Sequence, residues 1–140
     1  MTSSIYADLY MQFRDQVAIL LTANSFNIDE NFVSDWIHSD WDKDLIVDKH
    51  NVYFTINCKF KQKAKIGFND IELISSAATL LDSCSVIVTT TGYSKNSITT
   101  AQELEVILAD SKSLIDKLNK FVDDELARKF NETLYKALHT

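Results

Sequence analysis

The alternation that runs from Val52 to Lys61 constrains this chain more than any other stretch. Val52, Phe54, Ile56, Cys58 and Phe60 share one face of a strand. Tyr53, Thr55, Asn57, Lys59 and Lys61 share the other, because side chains alternate with a period of two. Leu45 to Val47 is a shorter apolar run of the same kind, and the polar residues Asp48 to Asn51 read as the turn of a β-hairpin. Pairing Val47 with Val52 sets Asp44 opposite Thr55 and Asp42 opposite Asn57. Antiparallel partners project to the same side, so this register gathers Asp42, Asp44, Asn57 and Lys59 on one polar face. A slip of one residue would disperse them.

The rest of the chain supplies what such a hairpin needs as cover. Leu9, Phe13, Val17, Leu20 and Leu21 recur at helical spacing from Ile5 to Ala23, and a short extended segment spans Phe26 to Ile28. After Gly67, Asn69 or Asp70 starts a second helix whose apolar stripe is Ile71, Ile74, Ala77, Ala78 and Leu81. Cys84 to Thr90 is a buried strand built on Val86-Ile87-Val88. A short helix covers Ser97 to Glu103, a strand Glu105 to Ala109, and from Ser111 a helical pattern runs almost to the end, with a break near Asp123 left open. Strands alternating with helices imply an α/β fold: a mixed sheet with helices on both faces. The chain of 140 residues suits one domain, 1–140, with 111–140 as a C-terminal helical segment.

These elements and their residues resemble the PD-(D/E)XK restriction-endonuclease-like fold, and in local texture its Mrr-type branch, over roughly residues 9–118 of the chain. Four motifs carry the resemblance in order. Lys43-Asp44-Leu45-Ile46-Val47 stands where the branch has a catalytic aspartate before an apolar strand, and Asn57-Cys58-Lys59 where it has [EQ]-x-K. Val86 to Ser97, with its Val-Thr-Thr-Thr-Gly-Tyr-Ser core, matches a threonine-rich segment, and Val106-Ile107-Leu108-Ala109-Asp110 a late apolar strand ending in aspartate. Two positions depart: Asn57 is a shorter, neutral residue where Glu or Gln is usual, and Ser97 replaces an alanine. The acid often found early in the opening helix falls near Arg14 or Asp15.

The resemblance implies an αβββαβ core and metal-dependent cleavage of DNA. Phosphodiester hydrolysis leaves little covalent work for a protein. It needs a divalent metal to neutralise phosphoryl oxygens and generate hydroxide, with a positioned cation near the attacking water. Magnesium or manganese takes hard oxygen ligands, so the implied ligands are the Asp44 carboxylate, the Asn57 amide oxygen and the main-chain carbonyl of Cys58. Lys59 orients the water or stabilises developing charge, completing a catalytic set of Asp44, Asn57 and Lys59. Asp40, Asp42 and Glu72 are further acids that could replace the one missing at Asn57. Lys61, Lys63, Lys65 and Thr90 are the candidate nucleic-acid contacts. The same residues also have plain readings: Asp44 as a turn residue, Asn57 and Lys59 as solvent-facing side chains, the lysine run as a soluble strand edge. Trp36 and Trp41 read as partly buried core that could stack on bases, and His38 and His50 as surface residues.

Charge narrows the partner. The net charge is -6, from 14 basic and 20 acidic residues, which opposes a broad nucleic-acid-binding surface. Lys59, Lys61, Lys63 and Lys65 concentrate the positive charge in one segment. No apolar run is long enough for a membrane span, and the residues from Met1 to Tyr10 include Asp8 and no basic residue, which argues against a signal or transit peptide. Cys58 and Cys84, both in strands, point to reduced thiols in an intracellular protein, cytoplasmic or, in a eukaryote, nuclear. The expected partner is DNA, with a homodimer or a partner protein both open. The competing reading is a catalytically degenerate nuclease fold serving in nucleic-acid or protein binding and assembly. A small-molecule α/β enzyme lacks support, since neither a Gly-rich phosphate loop nor a nucleophile motif is present.

Overall fold

The computed structural model describes residues 2–29, 45–60 and 66–139, with side chains from residue 8 onward. Its elements are α1 (Thr2–Ala23), β1 (Asn27–Ile28), β2 (Leu45–Lys49), β3 (Val52–Lys59), α2 (Phe68–Leu80), β4 (Cys84–Thr89), α3 (Lys95–Leu104), β5 (Ile107–Ala109) and α4 (Leu114–Leu138). The five strands form one sheet in the order β1-β2-β3-β4-β5. The pairs β1–β2 and β2–β3 are antiparallel, while β3–β4 and β4–β5 are parallel. This is the mixed sheet covered on both faces that the alternation of elements predicts.

The hairpin forms in a different register from the expected one. Val47 pairs with Phe54 and Lys49 with Val52, so β2 runs two residues further and the turn shrinks to His50 and Asn51. Both take left-handed backbone, at φ 53° and 64°, as a two-residue turn of the mirror-image type requires to match strand twist. Asp48 and Lys49 are therefore strand residues. Lys49 Nζ donates to the Asn24 carbonyl at 3.1 Å and to Asn119 Oδ1 at 2.8 Å, and lies 4.9 Å from the centre of the Phe26 ring. One side chain thus ties the hairpin to the end of α1 and to α4.

The two faces of the sheet carry different cores. Against α1 and α4 pack Val47, Val52, Phe54, Ile56, Cys58, Val86 and Val88, closed by Phe13, Val17, Leu21, Leu114, Leu118 and Val122. Phe54 sits edge-on to Phe26 and Phe121, with ring centres 6.1 and 5.5 Å apart. Under α2 and α3 the apolar cluster is smaller: Ile66, Ile71, Ile74, Ile87, Ala101 and Val106. The remainder of that face is polar. Thr55, Asn57, Ser85 and Thr89 are all buried there, while Tyr53 near the start of β3 is 49% exposed, so the plain reading of Asn57 as a solvent-facing side chain does not hold.

Helix boundaries differ from the sequence reading at their caps. α2 begins at Phe68 with Gly67 at the capping position, and ends before Leu81, which is 40% exposed and not part of the buried stripe. Ser94 caps α3 by accepting a hydrogen bond from the Ser97 amide at 3.1 Å, which starts that helix two residues early. Glu105 closes α3 in a left-handed conformation at φ 58°, so β5 starts only at Ile107. α4 runs unbroken through Asp123, and beyond Val122 nearly every residue is exposed. No helix among the described residues is long and apolar enough to cross a membrane.

Candidate active site at the end of β3

Lys59 is the last residue of β3, and the parallel register sets it beside Thr89, with Asn57 beside Ile87 and Thr55 beside Ser85. These residues share the face under α2. Asn57 is 3% exposed; its Oδ1 accepts no hydrogen bond, although the residue is not without partners. The Lys59 side chain crosses to α2, where Nζ lies 3.3 Å from Asp70 Oδ1, and the two side chains are 23% and 19% exposed. Asp70 Oδ2 accepts from the Gly67 amide at 3.1 Å. Asp70 is thereby the third residue of its helix, bonding back to the capping position, which satisfies one otherwise open amide and places negative charge at the positive end of the helix.

The threonine-rich segment braces the same point. Thr89 Oγ1 donates to the Lys59 carbonyl at 2.9 Å, and the Thr90 amide donates to that carbonyl at 3.3 Å. Thr89 Oγ1 also accepts from the Thr91 amide at 3.2 Å. Further on, the Tyr93 hydroxyl reaches the carbonyls of Ile87 at 3.1 Å and Ala109 at 2.8 Å. Burial pushes its ionisation well above the usual tyrosine range. Ser97, buried, donates to the Ile66 carbonyl at 2.6 Å, so the hydroxyl that departs from the family alanine anchors α3 to the residue just before Gly67. Asp110 is exposed and accepts from the amides of Ser113 at 2.9 Å and Lys112 at 3.1 Å. Those bonds hold its carboxyl below the usual range, and its part is to start α4.

The sequence-derived set is only partly gathered by the described residues. Asn57 and Lys59 lie on one face at one strand end. Cys58 points the other way, buried in the core against α1 and α4, which leaves only its main-chain carbonyl for the site. Thr90 is exposed beside Lys59. Asp40, Asp42, Asp44, Lys61, Lys63, Lys65, His38, Trp36 and Trp41 lie outside the described residues. Glu72 is exposed on α2. In the opening helix Asp15 is exposed and pairs with Arg14 at 3.3 Å. The acid that meets Lys59 is Asp70, two residues before Glu72 in sequence. Its signal was the acid at the third helical position after Gly67, which also fits a plain helix start.

Among the described residues no three His, Cys, Asp or Glu side chains group as a metal site. The oxygen donors near Lys59 are hard ones, an amide at Asn57 and a carboxylate at Asp70. This chemistry fits magnesium or manganese rather than a thiophilic ion. The other cysteine, Cys84, is free at the far end of β4, its thiol pushed up to about 12 by burial and by Glu105 and Glu125.

The five-stranded mixed sheet with helices on both faces makes this an α/β fold of the restriction-endonuclease-like kind, with Lys59 braced where a parallel pair of strands ends. The chain belongs to the restriction endonuclease family: the profile of the Mrr catalytic domain matches residues 10–118. In fold it is similar to the crystal structure of the protein of unknown function AF1548, with a TM-score of 0.55 and 21% identity, over 73% of this chain. The match spans 58% of that protein's length. No curated protein matches significantly.

Proposed function

We propose that this chain hydrolyses phosphodiester bonds of DNA with a divalent metal. The observation that carries the reading is the placement of Lys59, fixed through its carbonyl by Thr89 and Thr90 and through its ammonium by Asp70, inside a chain of the restriction endonuclease family. In this reading Asp44, the Asn57 amide oxygen and the Cys58 carbonyl hold magnesium or manganese. When bound, the ion would supply charge neutralisation for phosphoryl oxygens and lower the pKa of water so that hydroxide is available as the nucleophile. Lys59 has three donors, so pairing with Asp70 leaves capacity to orient the water or a phosphoryl oxygen. Lys61, Lys63, Lys65 and Thr90 hold the sugar-phosphate backbone by charge and hydrogen bonding.

A neutral Asn57 gives the site one negative charge fewer than an acidic pair, which favours weak metal binding. That same residue supports the second reading, a degenerate nuclease fold that binds or assembles without cutting. The two readings separate in one set of measurements. Manganese at millimolar concentration raises the melting temperature if it binds the folded state, and Asp44→Ala removes the rise. Asn57→Glu tightens metal binding about 10-fold or more, as ligand changes commonly do, and raises plasmid cleavage. Absence of any metal response in the wild type and in Asn57→Glu contradicts the nuclease reading and leaves the binding module.

A further inference from the structure

We propose that Asp70 is the positioning residue of Lys59: from α2, it holds the ammonium at the end of β3 and supplies the negative charge that Asn57 lacks. The proposal rests on the nuclease reading above. A helix-capping role alone uses only Oδ2, which bonds the Gly67 amide, whereas Oδ1 is turned to Lys59. Other ion pairs among the described residues, Arg14–Asp15, Lys120–Asp124 and Arg128 with Glu125 and Glu132, are each local within a single helix, and each has at least one side chain more than half exposed. Lys59–Asp70 instead joins a strand to a helix, and both side chains are mostly shielded, where a pair is screened less than at an open surface.

The pair also changes what the site can hold. Lys59 beside a neutral Asn57 is a net positive point that attracts a phosphate and repels a divalent cation. Asp70 cancels that charge while leaving the ammonium's remaining donors available. α2 is docked through Ile71 and Ile74, both fully buried, so the carboxylate sits on a rigid element.

The test compares wild type, Asp70→Asn and Asp70→Glu in the full chain. The asparagine keeps an oxygen for the Gly67 amide and loses the charge, so metal-free melting and circular dichroism report whether α2 still forms. Acylation of Lys59 by acetic anhydride, which forms the amide and releases acetate, followed by peptide mass spectrometry in metal-free protein, reads how firmly the ammonium is held. Manganese titration followed by melting reads the charge balance. The expected result is several-fold faster Lys59 labelling in Asp70→Asn and manganese affinity lower by about 10-fold, with Asp70→Glu between it and wild type. Equal labelling in wild type and Asp70→Asn overturns the proposal, and so does faster labelling with unchanged manganese affinity. If manganese leaves both the wild type and Asn57→Glu unaffected, the nuclease reading fails, and the labelling comparison alone decides whether Asp70 positions Lys59.

Discussion

Tyr93 shares one hydroxyl proton between the carbonyls of Ile87 and Ala109, and so ties β4 to the end of β5. Replacing it with Phe leaves those carbonyls short of a donor while keeping the ring. A lost hydrogen bond of this kind costs about 0.5–1.5 kcal/mol, so Tyr93→Phe is expected to lower urea stability by that amount; a change below the fitting error contradicts the role. Cys84 makes a pH prediction. Its thiol rises from 9.0 to about 12 on folding, so the folded state keeps a proton that the unfolded chain releases. This stabilisation is complete below pH 9 and is lost as pH climbs from 9 towards 12, at up to about 1.4 kcal/mol per pH unit. Cys84→Ala removes that share of the slope, and an unchanged slope would count against it. At this scale the sequence exposed the thiols, the tyrosine and Lys59 as residues, but not their partners. The carbonyls that meet Tyr93 and the carboxylate that meets Lys59 come from other elements, and only the docking of those elements brings them within reach.

Among the elements, β3 was legible because alternation states both its faces, and Val52, Phe54, Ile56 and Cys58 are buried as that pattern requires. The register of the hairpin was not legible. A two-residue turn usually announces itself with Asn-Gly or Asp-Gly, whereas here His50 and Asn51 accept left-handed backbone despite their side chains. The double substitution His50→Asn with Asn51→Gly is therefore expected to raise stability by about 0.5–1 kcal/mol, because both residues then suit the conformation. A lower denaturation midpoint would show that the native side chains contribute more than the turn geometry demands. The cover over Asn57 was hidden for a related reason. Thr55 and Asn57 look solvated as the polar side of an alternating strand, and α2, packed across β3 and β4, buries them with Ser85 and Thr89. Ser94 as a cap and Asp70 as a partner of Lys59 follow from the same helix starts, whose polar residues have several local uses.

At the scale of the whole molecule, the core formed by the described residues takes in α4 as far as Val122. Leu126 is 37% and Phe130 66% exposed, with Leu134, Tyr135 and Leu138 exposed beyond them. A chain ending at residue 126 is expected to melt cooperatively within about 4 °C of the full chain, and loss of the transition would assign the last turns a structural part. The proposed role of Lys59, held between Asp70 and the residues Thr89 and Thr90, is phosphodiester cleavage. The direct measurement is nicking of supercoiled plasmid by purified protein in magnesium or manganese, comparing wild type with Lys59→Ala of matched melting temperature. The expected result is metal-dependent nicking by the wild type, abolished by chelator and lost in Lys59→Ala. Equal nicking by the two proteins, or none by wild type and Asn57→Glu alike, would contradict it.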